Sequence, residues 1–222
     1  YDIPLDYYIK EAVDKFHPVN YDPEKWMDLA EDCGMKYVVL TAKHHEGIAL
    51  FDSKVSEWNT VQRTMAKKDL IRPFVEAARM HNLKIGFYYS QNLDWINGGG
   101  GRRWDDAMDV RSFEEYVEDI GTKQVVELLS NYGKIDVLWW DMGMTEKYKY
   151  MAKKYFNAVS RCFPLQNGLI LNGRLSDYYP EIPTELLGDF LTPEQSVPDV
   201  PVTGYENKKL WETCLTLNET WG

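Results

Sequence analysis

The chain has 222 residues, 44% hydrophobic and 27% charged, with 15 Gly, 10 Pro and no repeat period. That describes one large globular domain or two small ones and excludes collagen-like, solenoid and low-complexity architectures. A formal net charge of −10 argues against a nucleic-acid partner, because neutralising phosphates needs clustered Lys and Arg.

No run of about 18 apolar residues is present, so no membrane-spanning helix is expected. Residues 1–16 have neither the basic nor the apolar region of a signal peptide. Cys33, Cys162 and Cys214 are an odd number without zinc-knuckle spacing, though one pair has the option of bridging. Asn218-Glu219-Thr220 is a glycosylation triplet of the kind that often arises by chance. Aromatic residues make up 14%, with 8 Trp and 15 Tyr. Aromatic faces stack on sugar rings, but they also fill large cores.

In chain order, a helix is predicted from Pro23, capped by Asp22, through Trp26, Leu29 and Ala30 to Gly34. Tyr37 to Thr41 is a β-branched apolar run that fits a buried strand. A loop through Lys43, His44, His45, Glu46 and Gly47 follows, then a helix from Asp69 to about His81. Lys84 to Ser90 reads as the next strand. The Gly98–Gly101 run reads as a flexible loop without the Lys-Ser/Thr of a phosphate loop. A long helix from Ser112 to about Asn131 precedes a strand over Asp136–Asp141. A helix from about Thr145 to Cys162 precedes a strand at Gly168–Asn172, with weaker strands near 187–191 and 211–217.

Alternating strands and helices with buried strands predict an α/β fold with a parallel sheet. Polar or aromatic clusters at the C-terminal ends of several strands favour a (β/α)8-like (TIM) barrel over a doubly wound sheet, which would gather them at one switch point. Six strands are found where such a barrel has eight, so the reading is one incomplete catalytic-barrel region over residues 1–222. A six-stranded arc exposes two unpaired edges. These are expected to be covered by further chain, by another subunit, including a second copy, or by a local rearrangement.

The candidate chemistry sits at the strand ends. Alternation puts Trp139 and Asp141 on one face and Leu138 and Trp140 on the other. Asp141 thus reads as a shielded rim carboxylate beside an indole, suited to glycosyl transfer; the alternative is a helix cap. His44 and His45 read as donors to substrate hydroxyls, as structural imidazoles, or as metal ligands, the last disfavoured because adjacent residues on a strand end diverge. Gly86, Tyr88 and Ser90 share a face, with Tyr88 near the rim. Arg174 either holds a neighbouring carboxylate ionised or makes a surface ion pair. Glu194, after an apolar segment, is a second rim carboxylate, and a glycosidase needs two.

Together, the segments Tyr37–Gly47, Asp52–Lys54, Trp58-Asn59, Lys68–Leu70, Gly86–Ser90, Asp94-Trp95, Asp136–Gly143, Gly188–Gln195 and Trp211–Asn218 resemble the family 29 glycoside hydrolases, the α-L-fucosidases. The resemblance implies a catalytic (β/α)8-like barrel followed by a β-sandwich, and retention of anomeric configuration. It implies Asp141 as nucleophile, Trp139 as its aromatic neighbour, and His44, His45, Tyr88 and Arg174 as sugar-site residues. Glu194 is implied as acid/base, with Glu212 as its rival. No cofactor and no metal are implied. The implied substrate is a fucosylated glycan or oligosaccharide, and the implied location is secreted, periplasmic or lysosomal. The family's first-strand His-Trp-Gly segment, its eighth strand and its sandwich have no counterpart here. A non-catalytic fucose-binding remnant and a metal-dependent barrel hydrolase using His44 and His45 therefore stand as alternative functions.

Overall fold

The structure, a computed structural model, describes residues 3–101, 111–143, 149–175, 188–197, 210–219 and 221. Its centre is a parallel sheet in chain order: β1 (Tyr37–Lys43), β2 (Lys84–Tyr89), β3 (Val137–Trp140) and β4 (Ile170–Leu171). A bridge from Asn172 to Phe190 carries the arc on to β5 (Phe190–Leu191), which pairs in parallel with β6 (Leu210–Trp211). The described residues thus form an open arc of six strands and not a closed barrel. The predicted strand near 187–191 shortens to β5, with residue 187 outside the described residues. The one near 211–217 shortens to β6, continued only by a Glu194–Cys214 bridge.

Strand alternation gives the arc two unlike faces. Leu138, Trp140, Ile85, Phe87 and Tyr89 are buried on the outer face. There they join one core cluster with the helices α3 (Ile71–Met80), α5 (Thr122–Asn131) and α6 (Lys149–Ser160). Tyr37, Gly86, Tyr88, Val137 and Trp139 take the inner face, Gly86 level with Val137 and Tyr88 with Trp139. Glu212, just after β6, joins them through hydrogen bonds from Tyr37 and Trp139.

The helices follow local rules. α2 (Pro23–Asp32) starts where Asp22 accepts from the Lys25 amide, with Pro at its first turn. It buries Met27 and Ala30, whereas Trp26 and Leu29 stay exposed. The predicted helix from Ser112 is one element with a π turn: Ser112 and Glu115 form a capping box, α4 (Phe113–Tyr116) leads into the turn at Val117–Gly121, and α5 continues. The predicted start of α6 near Thr145 lies outside the described residues.

Two features depart from the sequence expectation. Residues 5–13 form a helical turn, α1 (Leu5–Tyr8), running into a π turn at Ile9–Val13. Leu5, Ile9 and Val13, spaced by four, bury with Ile48 and Ile96 in a second small core. The glycine run is also packed where a flexible loop was expected. A Cβ on Gly99 would lie 2.4 Å from the Ser112 carbonyl oxygen, and one on Gly100 would lie 2.5 Å from the Asp94 Cβ. Glycine is used there for close approach. The three cysteines are free thiols, so no pair bridges.

Gly86 clears the inner face beneath the rim, since a Cβ there would lie 2.8 Å from Val39 Cγ2 and 2.9 Å from Val137 Cβ. Gly86→Ala is expected to cost about 1–3 kcal/mol by overpacking. A urea melt should show a lower midpoint at unchanged m-value; an unshifted midpoint would contradict the packing described.

Candidate active site

A cavity of about 420 Å³ opens at the C-terminal ends of the strands. Asp141, directly after β3, sits in its wall. One of its carboxylate oxygens accepts from His45 Nε2 at 2.7 Å and from the Tyr88 hydroxyl at 2.6 Å; the other accepts from an Arg174 nitrogen at 2.9 Å. Burial pushes the Asp141 carboxyl up, the largest single influence. The hydrogen bonds from His45 and Tyr88 and the charges of His45 and Arg174 together outweigh it, so the group titrates below its ordinary 3.8. Tyr88 is driven strongly the other way, by burial first and then by Asp141, and keeps its proton.

Arg174 reaches this point because β4 gives way to a single 3₁₀ turn at Gly173–Leu175. A second guanidinium nitrogen donates to Glu194 at 2.8 Å, and the Nε and the same nitrogen donate to the Thr192 carbonyl. Asp141 and Glu194 therefore share one guanidinium on the inner side of the arc. Burial works against the Arg174 charge, but Glu194, Cys214 and Asp141 raise its pKa above the ordinary value.

The other wall is aromatic. The His45 and His44 rings stack at 4.0 Å, His44 and Tyr88 at 5.4 Å, and Tyr88 and Trp139 at 5.3 Å between centroids. The Arg174 guanidinium ends the series 4.8 Å from the Trp139 ring centre. His44 and His45 reach the cavity through an irregularity in β1. Thr41 pairs with Tyr88 but Lys43 pairs with Tyr89, so one extra residue is accommodated. This bulge turns Lys43 to the outer face and re-aims the chain at His44 and His45.

The structure brings Asp141, Glu194, His44, His45, Tyr88, Trp139 and Arg174 around one cavity. Glu212 lies elsewhere. Its carboxylate accepts from the Trp139 indole, the Tyr37 hydroxyl and Thr192, and it lines a second cavity of about 410 Å³ at the opposite ends of the strands. Sequence reading did not pick out Trp221, whose indole donates to Glu194 at 3.1 Å, or Cys214, 3.5 Å from Arg174. Nor did it pick out Gln91 and Asn172, which hold the backbone at the end of β3. The only signal for the last two was a buried-strand pattern ending in an amide side chain.

His44, His45 and Asp141 also place potential metal-ligand atoms within 4.8 Å of one another. A divalent cation there would face the Arg174 guanidinium and would displace the protons that His45 and Tyr88 donate to Asp141. Those donors suit a carboxylate better than a cation. Among the described residues no helix is long and apolar enough to cross a membrane.

Fold and site define a class: parallel α/β proteins that gather carboxylates and aromatic rings in a pocket at the C-terminal ends of their strands. Comparison with known proteins narrows it. The chain belongs to the α-L-fucosidase family, whose sequence profile matches residues 2–222. It is similar to a solved structure of α-L-fucosidase isoenzyme 1 from Paenibacillus thiaminolyticus, with 36% identity and a TM-score of 0.84, covering 100% of this chain and 54% of that one. It is also similar to a Lactobacillus casei α-L-fucosidase solved in complex with its α-L-fucose product: 30% identity, TM-score 0.79, covering 99% of this chain and 67% of that one. An α-L-fucosidase of Branchiostoma floridae is 28% identical over 206 residues, 91% of this chain and 43% of the relative. The chain thus spans less than half the length of the curated relatives that it matches along most of its own.

Because the Asp141 pKa is lowered on folding, its contribution to stability is fully present above the ordinary 3.8 and is lost as pH falls through the lower folded value. Asp141→Asn removes that dependence. Thermal melts taken from about pH 6 down to about pH 3 should decline less steeply for the variant. Parallel declines would mean that the carboxylate is not held ionised as described.

Proposed function

We propose that this chain is the catalytic region of a retaining exo-α-L-fucosidase, built on an arc of a (β/α)8-like barrel as a single unit over residues 1–222. The observation that carries the reading is the sharing of Arg174 by Asp141 and Glu194 at the edge of an aromatic pocket. Glycosidases work with two such carboxylates. Retaining enzymes hold them about 5–5.5 Å apart so that one can attack the anomeric carbon directly.

In this reading Asp141 is the nucleophile. Its donors keep it ionised while the pocket keeps it from bulk water. It attacks the anomeric carbon of a terminal α-L-fucoside as the bond to the leaving oxygen breaks, and Glu194 gives that oxygen its proton. The fucosyl ester on Asp141 is then released by water, which passes a proton to Glu194 as it attacks. Glu194 is the more exposed of the two carboxylates, which suits a group that must meet both the leaving oxygen and incoming water. His44, His45 and Tyr88 donate to sugar hydroxyls, and the Trp139 face packs on the apolar side of the ring. No cofactor enters these steps. The substrates are fucosylated glycans or oligosaccharides, and the compartment is secreted, periplasmic or lysosomal.

Asp141→Gly should lower kcat on an aryl α-L-fucoside by about 10⁴-fold, the scale of losing a catalytic nucleophile, with the fold retained. Added azide should restore turnover from the vacated face and give the β-L-fucosyl azide, identified by NMR. A variant with wild-type activity would sink the assignment of Asp141. Release of β-L-fucose by the wild type as first product would sink retention.

A further inference from the structure

β3 carries Asp141 just beyond its last paired residue, where both neighbouring strands have left. β2 ends at Tyr89, and the chain turns so that the Ser90 amide bonds to Lys43. β4 ends at Leu171 and becomes the turn that delivers Arg174. In a parallel strand each residue directs its N–H and C=O to one neighbour, and successive residues alternate between neighbours. Trp140 faces the β4 side and Asp141 the β2 side, so both would be left with unpaired, desolvated peptide groups.

Two buried amides fill those gaps. The Trp140 amide donates to Asn172 Oδ1 at 2.8 Å, and Asn172 Nδ2 donates to the Trp140 carbonyl at 2.8 Å. On the other side the Asp141 amide donates to Gln91 Oε1 at 3.0 Å. Gln91 Nε2 donates to the carbonyls of Asp141 at 3.2 Å and Met142 at 2.8 Å. Both side chains are fully buried. Gln91 is itself held, its backbone carbonyl accepting from the Tyr155 hydroxyl at 2.9 Å.

We infer that Gln91 and Asn172 are positioning residues for Asp141, whose amides continue the β ladder as side chains where β2 and β4 depart and so fix the direction of its carboxylate. A carboxamide has the donor and acceptor of a peptide group, so it substitutes for one stretch of strand. The substitution frees β4 to turn and bring Arg174 onto the carboxylate that the clamp holds. Touching neither cavity nor substrate, the two residues act through Asp141. The inference rests on the reading of Asp141 as nucleophile.

The test uses the full-length protein and an aryl α-L-fucoside. Gln91→Glu and Asn172→Asp each replace the donating nitrogen by an oxygen facing a carbonyl, at unchanged size. Gln91→Met, uncharged and of equal length, is the second variant should Gln91→Glu not fold. Gln166→Glu is the control. That glutamine is equally buried and also binds backbone, accepting from Ile135 and donating to Leu129 and Gly133, but at the far end of β3.

Misplacing a reacting group by about 1 Å costs on the order of 100-fold. The clamp variants should therefore lose about 100-fold in kcat with little change in KM, while Gln166→Glu loses thermal stability and keeps kcat. Hydrogen exchange of the Asp141 amide, measured alongside, should speed up in the Gln91 variants alone. Folded clamp variants with wild-type kcat, or loss of kcat in all variants in proportion to stability, would overturn the proposal. An inactive wild type would instead overturn the fucosidase reading, and the exchange of the Asp141 amide would then decide the clamp by itself.

Discussion

The buried guanidinium of Arg174 is the interaction on which the site depends. Its side chain is 8% exposed and cannot shed its charge, so the fold must surround it with compensation. It does so with Asp141, Glu194, the Thr192 carbonyl and the Trp139 ring. Two carboxylates that would repel each other across a small cavity are thereby held facing the same space. Their positions are not independent: moving either leaves a buried cation short of a partner, which is far costlier than losing a surface pair.

A second buried cation supports the site from behind the sheet. Lys43 Nζ lies 2.8 Å from Asp94 and 2.7 Å from the Tyr116 hydroxyl, with no exposure of either partner's charge. Burial lowers the Lys43 pKa, and Asp94 opposes the shift. Asp94 also accepts the amides of Ile96 and Asn97, and this loop grips the rim: the Trp95 amide bonds to the His45 carbonyl and Asn97 Nδ2 to the Gly47 carbonyl. The main chain that carries His45 is thus tied to a charge pair on the outer face. This tie also explains the packed glycines, since residues 99–101 fold back against Asp94, Leu93 and Ser112 without room for side chains.

Much of this was legible in the sequence, and the remainder was hidden for identifiable physical reasons. The runs at 84–90 and 136–141 are apolar enough to declare buried strands. The run at 37–41 declares a strand, but Tyr37 and Thr41 are exposed and residues 38–40 only partly buried, because the arc leaves this end of β1 uncovered. Period-two alternation alone puts Trp139 with Asp141 and Tyr88 with Gly86. The bulge at Thr41–Lys43 was not legible, because it shifts pairing without altering hydropathy, so the burial of Lys43 was hidden. The Leu5, Ile9 and Val13 spacing was present but belongs to a short segment whose burial depends on distant Ile48 and Ile96. Gln91 reads as a loop residue and Asn172 as the last residue of a strand, because nothing local marks a side chain that replaces a strand. Glu194 and Glu212 are alike in sequence; only their hydrogen-bond partners, Arg174 and Trp221 for one, Tyr37 and Trp139 for the other, separate a cavity group from a floor group.

The aromatic wall follows from register. Tyr88 and Trp139 are paired residues on adjacent parallel strands, and strands stand about 4.8 Å apart. Flat rings at paired positions on one face have little choice but to stack. Thr41, the third member of that row, is small and leaves the space above it for His44 to lie over Tyr88. A slip of one residue in β3 would turn Leu138 and Trp140 inward and carry Asp141 away from His45 and Arg174. The fully buried Trp140, packed on Tyr155, resists that slip, as does the peptide pairing at Gln91 and Asn172. The same register that fills the outer core therefore sets the geometry of the pocket, and the carboxylates and rings at the rim inherit their placement from packing that never touches the cavity.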